Sequence, residues 1–272
     1  MSLQKTELGW ILASKRRGAS HRRKNTSCQD AYARSKMVEG KPCIALAVAD
    51  GHGDVKHDLS EQGATLAVTI AVKTLIEFFN NFANNPRLLK KNFKQDFPRL
   101  VGRHWRQAVL KDAANRLHLQ TDNPIDTSQL LKRYGTTLLV ALILPDLLLL
   151  GQIGDGDILR LFQDGDLCKP FSHATELIGN ATYSLSSLEA DKFWQTATLA
   201  RTKEEALLLA TDGLSNAFID ETQFHTFARS LLTRISEFGI DSIDAALPHW
   251  LDQYSEEGSG DDITLLIFND IF

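Results

Sequence analysis

Five acidic clusters sit at the ends of apolar stretches or beside glycine: Gln29-Asp30, Asp50-Gly51, Asp155-Gly156-Asp157, Asp212-Gly213 and Asp261-Asp262. A carboxylate at a strand end is positioned by stiff backbone, and a neighbouring glycine lets a backbone oxygen or solvent approach closely. Hard cations such as Mg²⁺ and Mn²⁺ prefer oxygen ligands, commonly a few carboxylates completed by water. Two such ions side by side generate a hydroxide and clamp a phosphoryl group for in-line attack. The chain has neither a GxSxG nucleophile elbow nor a P-loop, so water activated by metal is the nucleophile these residues favour. Each cluster alone is also ordinary turn chemistry, an Asp-Gly pair after a strand above all. Asp155-Gly156-Asp157 lacks the later Gly and Glu of a calcium loop.

The elements that must hold these aspartates are legible around them. Residues 43–49 form a continuous small-apolar run, as in a buried strand, that ends at Asp50-Gly51-His52-Gly53. Residues 206–210 end the same way at Thr211-Asp212-Gly213, and 263–268 begin directly after Gly260-Asp261-Asp262. Short strands are expected at 10–14 and 31–38, around a basic loop holding Lys15-Arg16-Arg17 and Arg22-Arg23-Lys24. Helical spacing covers 59–82, with Leu66, Ile70, Leu75, Phe78 and Phe79 near one face, and continues over 86–118 with a break near Pro98. Residues 121–128 read as a loop. Strands follow at 136–144, 147–153 and 158–162, turned by Pro145-Asp146 and Asp164-Gly165, and helices at 222–237 and 241–254. Strands, long helices, strands, helices and a last strand make one α+β domain over residues 1–272 with antiparallel sheets, not an alternating βαβ fold. The helical region at about 78–118 is long enough to offer a partner surface, although core packing is the simpler use of it.

Taken in order, Cys28-Gln29-Asp30, Val48-Ala49-Asp50-Gly51-His52-Gly53, Gly135-Thr136-Thr137, Gly154-Asp155-Gly156, Thr211-Asp212-Gly213 and Asp261-Asp262-Ile263-Thr264 resemble the metal-dependent protein phosphatases of type 2C. The likeness runs from about Ser14 to Phe268. The spacing of His21 to Gln29-Asp30, and Asn180-Ala181-Thr182-Tyr183-Ser184, are similar to a bacterial branch of that family. The resemblance implies a four-layer α-β-β-α sandwich, two antiparallel sheets flanked by helices, with metals at one end. It implies two divalent cations, Mn²⁺ or Mg²⁺, bridged by Asp50, with the Gly51 carbonyl, Asp212 and Asp261 as further ligands and Asp155 on a weak third ion. It implies that Asp30 orients metal-bound water and that His52 is the general acid, a role suited to a group titrating near neutrality. Gly135, Thr136 and Thr137 are expected to be structural.

Two departures bear on the substrate. Where many members of that family carry Glu this chain has Gln29, and where many carry an arginine it has Asn25. Arg22, Arg23 or Lys24 are then the candidates for the substrate phosphate, since Arg binds phosphate oxygens in a bidentate fork. The function expected is hydrolysis of phosphoserine and phosphothreonine in proteins, opposing a serine/threonine kinase. A family member kept as a binding protein and a small-metabolite phosphatase are the alternatives. A net charge of −4 excludes a general nucleic-acid surface. Three cysteines without CxxC pairing suggest neither a disulfide framework nor a zinc site. No window reads as a membrane span, and the residue-137-to-150 stretch is interrupted by Pro145 and Asp146. With no signal-peptide pattern, a cytoplasmic monomer is expected.

Overall fold

The computed structural model describes residues 3–35, 42–116, 126–171 and 183–271. The chain opens with β1 (Gln4–Lys5), β2 (Trp10–Arg16), α1 (Ala19–Lys24), β3 (Ala31–Arg34) and β4 (Ile44–Ala49). Helices α2 (Ser60–Phe82), α3 (Pro86–Gln95), α4 (Phe97–Arg116) and α5 (Thr127–Arg133) follow. Next come β5 (Leu138–Ile143), β6 (Leu147–Ile153), β7 (Asp157–Phe162), β8 (Leu167–Cys168), β9 (Gln195–Ala200) and β10 (Glu205–Ala210). Helices α6 (Asp212–Ser215), α7 (Glu221–Phe238) and α8 (Ile240–Tyr254), with β11 (Ile263–Asn269), complete the described chain.

The strands form two antiparallel sheets, ordered β1-β2-β11-β10-β7-β8 and β3-β4-β5-β6-β9. Strand alternation assigns the layers. In β5, Leu139, Ala141 and Ile143 face the opposite sheet while Leu138, Val140 and Leu142 face the helices. Phe268 and Leu266 of β11 meet the same inter-sheet core, and Leu265 and Ile267 pack toward α7 and α8. With both faces covered, a strand can be apolar throughout, which is why β4, β5 and β10 read as unbroken runs. The expected sandwich of two sheets flanked by helices is what the chain forms.

β4 divides its two faces by size. Ile44, Leu46 and Val48 fill the inter-sheet core, and Ala45, Ala47 and Ala49 lie under α2. The buried seam of α2 is correspondingly small, with Gly63, Ala64, Ala67 and Ala71 before Leu75 and Phe78. Leu66, Ile70 and Phe79, the large residues that mark the helical period, are only partly buried. α2 is also long and apolar enough to cross a membrane by length and composition, which corrects the expectation that no segment is. Here it is the core helix between β4 and α4, held by the Trp105 indole N–H on the Gly63 carbonyl at 3.0 Å.

Other expectations shift in detail. The helical region breaks at Asp96, and Pro98 sits in the first turn of α4, where a missing N–H costs nothing. Thr127 and Ser128, read as loop, begin α5, which Asp126 caps through the N–H groups of Ser128 and Gln129. Residues 121–125 and 180–182 lie outside the described residues. The second basic run is not loop but the short helix α1.

Gly63 gives this packing its sharpest test. An alanine is the better helix former by about 1 kcal/mol. A Cβ at Gly63, however, would stand 1.9 Å from the Tyr134 carbonyl oxygen. Overpacking of this kind costs about 1–3 kcal/mol, so Gly63→Ala is expected to lower stability on balance. Urea unfolding measures it, and a midpoint at or above wild type would show that the end of α5 yields freely.

Candidate active site

Antiparallel pairing puts the end of one strand beside the start of its neighbour, and that alone gathers the acidic clusters. Asp30 precedes β3 and Asp50 follows β4, whose residues Ala31 and Ala49 are partners. Asp212 follows β10 and Asp261-Asp262 precede β11, joined by the Thr211 N–H on the Thr264 carbonyl at 3.0 Å. Asp155 lies between β6 and β7, and Asp157 opens β7 opposite Ala210. All five clusters therefore stand at one end of the sandwich.

The backbone at Asp50 is clamped. Its N–H donates to Thr137 Oγ1 at 3.0 Å, and its carbonyl accepts from the Thr137 N–H and from Thr136 Oγ1, both at 2.8 Å. Gly51 is as close as backbone permits, for a Cβ would lie 2.8 Å from the Gln29 carbonyl oxygen and 2.9 Å from Ser60. The Asp50 and Asp212 carboxylates are within hydrogen-bonding reach of each other. Burial first, and then Asp30 and Asp212, push Asp50 well above the usual carboxylate range. Burial and Asp155 raise Asp212 to about 6, while Asn216 Nδ2 donates to its Oδ2 at 2.9 Å. Burial and the Asp262 carboxylate raise Asp30 to about 8.

Asp262 has a different task from Asp261. It is 3% exposed, and its Oδ1 accepts from the Gly18 N–H at 2.6 Å. Its Oδ2 accepts from the Gln29 N–H at 2.6 Å and lies 2.9 Å from His21 Nδ1. One carboxylate thus fastens α1 and the Gln29-Asp30 segment to the start of β11. Gly213 completes the closure, since a Cβ there would meet the Asp262 carbonyl oxygen at 2.0 Å. Asp30 is fixed in turn by the Thr211 hydroxyl, which donates to its Oδ2 at 2.8 Å.

Whether these residues suit cations is answered by their oxygens. Asp30 Oδ1 and Asp212 Oδ1 are buried and, among the described residues, accept no hydrogen bond of ordinary geometry. Carboxylates that raise one another's pKa while presenting unpartnered oxygens fit divalent cations, whose charge relieves the repulsion. Among the described residues no three His, Cys, Asp or Glu side chains converge on a single ligating point. Mg²⁺ and Mn²⁺ need no such cage, because they retain much of their water and take one or two carboxylates each. The residues fit.

The remaining candidates are placed as follows. Asp155 is in electrostatic reach of both Asp212 and His52. The bend before it takes its positive φ of +104° from Gly154. Burial and the neighbouring His57 push His52 down to about 4, against the pull of Asp155, so it is not the near-neutral group its role suggested. Arg22 is engaged by Glu256 at 2.8 Å and Asp252 at 3.4 Å, and Arg23 lies 3.7 Å from Glu256. Neither is a guanidinium standing free for phosphate. Thr136 and Thr137 are structural, as expected, but the structure they build is the seat of Asp50. Sequence reading missed the tie of His21 to Asp262 and the place of His57, because both depend on contacts between distant segments.

A family model described as Protein phosphatase 2C matches residues 17–252. No curated protein matches the chain by sequence. Solved structures similar to it include RsbX in complex with magnesium, at 15% identity over 98% of each chain with a TM-score of 0.54. The catalytic domain of the phosphatase PstP with two manganese ions is 18% identical over 95% of this chain and 96% of that one, TM-score 0.52. PppA, a regulatory component of T6SS in Pseudomonas aeruginosa, is 17% identical over 95% and 96%, TM-score 0.58. At such identities these likenesses speak to the fold.

The raised carboxylates give a pH test. In the metal-free protein Asp30 near 8 and Asp212 near 6 hold protons that the unfolded chain, with carboxylates near about 4, has released. Their contribution to stability is present below about pH 4 and is lost as pH rises through 6 to 8. Metal-free protein should melt lower at pH 8 than at pH 5.5, with a shallower slope in Asp30→Asn. Mn²⁺ at a hundred times its Kd adds about 2.7 kcal/mol, or about 5–10 °C, and at one fixed Mn²⁺ concentration the increment is larger at pH 8, where protons compete less and Kd is lower. Calorimetric scans showing no Mn²⁺ increment at pH 8 would exclude this cluster as a cation site.

Proposed function

The chain belongs to the protein phosphatase 2C family, the metal-dependent protein serine/threonine phosphatases, and from that premise we propose how its own residues divide the work. Asp50, Asp212 and Asp261, with the Gly51 carbonyl, hold two divalent cations, Mn²⁺ or Mg²⁺. The observation that carries this is the approach of the half-buried Asp50 and Asp212 carboxylates beside the buried Oδ1 atoms of Asp30 and Asp212. When bound, such ions supply an activated water and neutralise charge on the phosphoryl oxygens. Asp155, in electrostatic reach of Asp212 and His52, serves a weak third ion.

The protein groups around them orient and exchange protons. Asp30, held by the Thr211 hydroxyl at 2.8 Å, orients the attacking water. His52 donates a proton to the leaving serine or threonine oxygen. Its depressed pKa keeps it neutral in the resting enzyme, and the dianion of a bound phosphomonoester favours its charged form. Arg22 and Arg23 reach phosphate only by leaving Asp252 and Glu256; exposed bridges of this kind are worth about 0–1 kcal/mol, so exchange is cheap. The physiological substrate on this reading is a phosphoprotein, the product of a serine/threonine kinase, met by a cytoplasmic monomer; the family match supports the phosphoprotein substrate.

Release of phosphate from a phosphothreonine peptide should require Mn²⁺ and stop with chelator; chelator-resistant release would overturn the metal assignment. Asp50→Ala is expected to abolish turnover and weaken both ions in titration calorimetry, whereas Asp212→Ala loses one preferentially. Two intact binding events in folded Asp50→Ala would remove it as the bridge. His52→Ala should slow the phosphopeptide about 10²–10⁴-fold while slowing 4-nitrophenyl phosphate, whose leaving group needs no proton, far less. Equal losses would place His52 in metal positioning instead.

A further inference from the structure

Two imidazoles meet beside the aspartates, and the reaction as proposed uses one. The rings of His52 and His57 lie edge to face, with centroids 4.9 Å apart and planes at 67°. Gly135 permits the meeting, since a Cβ there would fall 2.7 Å from both His52 Cδ2 and His57 Nδ1. Both histidines hang on the turn that ends α5. The His52 N–H donates to the Gly135 carbonyl at 3.1 Å, and His57 Nδ1 bonds the Lys132 carbonyl, which also accepts from the Gly135 N–H at 3.0 Å. A carbonyl only accepts, so His57 Nδ1 carries the proton and its ring orientation is fixed.

The segment that carries His57 is pinned to the same turn. The His57 N–H donates to the Asp54 carbonyl at 2.8 Å, and the Leu59 N–H to the Arg133 carbonyl at 2.9 Å. Between them, Asp58 takes Arg133 in a bidentate bridge at 2.8 and 2.7 Å. His52 is held differently: its backbone is anchored, but among the described residues no hydrogen bond reaches its ring. Packing, with the Asp155 carboxylate in electrostatic reach, sets its ring orientation, and the packing on one side is the His57 ring. A proton donor must bring its nitrogen within about 2.6–3.2 Å of the leaving oxygen, and an error of about 1 Å in such placement costs up to about 10²-fold.

We propose that His57 is a positioning residue: locked on the Lys132 carbonyl, its ring walls the His52 imidazole into the orientation that reaches the leaving oxygen. This rests on the reading of His52 as proton donor given above. His57 touches neither phosphate nor cation in this role, and its loss acts through His52 alone.

The test compares His57→Ala and His57→Phe with His52→Ala on a phosphothreonine peptide and on 4-nitrophenyl phosphate, each with Mn²⁺. His57→Ala is expected to lower kcat on the peptide about 10–10²-fold, with KM little moved and the aryl phosphate far less affected. His57→Phe, which keeps a ring against His52, should recover much of the loss. The double variant His52→Ala/His57→Ala should be no slower on the peptide than His52→Ala alone. In metal-free, ¹³C-histidine-labelled protein, the His52 Cδ2–H resonance should move in His57→Ala, a readout independent of turnover. Peptide and aryl phosphate falling together in His57→Ala, with a lower melting temperature, would overturn the proposal in favour of a purely structural role. A wild-type leaving-group dependence in His57→Ala would overturn it while leaving His52 as the acid. If His52→Ala itself shows no substrate split, both assignments fall; if wild type shows no Mn²⁺-dependent turnover, the phosphatase reading falls with them.

Discussion

Carboxylates crowded at one end of a buried sandwich repel one another, and each is held against that repulsion by backbone that has little freedom to move. Asp50 is fixed by three hydrogen bonds with Thr136 and Thr137, Asp30 by the Thr211 hydroxyl, and the Gln29 segment by Asp262. The raised pKa values of Asp30, Asp50 and Asp212 record the electrostatic cost of that arrangement. A fold seeking only stability would not gather these groups in low dielectric. The two-sheet architecture tolerates them because the inter-sheet core and the two helix layers supply burial well away from the rim.

Close backbone approach is the second condition. Gly18, Gly51 and Gly213 each stand where a Cβ would come within 3 Å of another segment's backbone, and those segments are the ones bearing the aspartates. A similar logic operates on the far side of β4, where alanines on strand and helix let α2 settle close and carry Gly63 against the end of α5. That contact sets the Lys132–Gly135 turn, from which both Asp50's threonines and the histidine pair take their places. The helix seam and the reactive rim are thus one mechanical unit.

The charges outside the rim follow different rules. Arg22 with Glu256 and Asp252, and Arg133 with Asp58, are exposed bridges whose individual contribution is small. Their use is geometric, fastening α1 to α8 and the His57 segment to α5. Arg160 with Glu205 is buried between β7 and β10, at 2.6 Å, where removing either partner would strand a charge.

By itself the sequence determined the strands, the long helices and the acidic clusters. Burial on both faces forces unbroken apolar runs, and an abrupt Asp-Gly ends them; β6, at 147–153, is read to the residue. It also determined the hard-cation chemistry, since only oxygen ligands recur at those ends. Short elements were not legible: α1, α5 and β9 lack a repeating period long enough to announce them and are held by tertiary contacts. Only the tertiary structure showed that Asp262, beside the candidate ligand Asp261, is a fastener between Gly18, His21 and Gln29. The same holds for Arg22, whose guanidinium reads as a phosphate ligand until Glu256 is seen beside it. The place of His57 against His52 shows only in the fold, where Gly135, far along the chain, leaves room for both rings. In each case the local sequence fixes which group is present, and partners distant in sequence fix what that group is free to do.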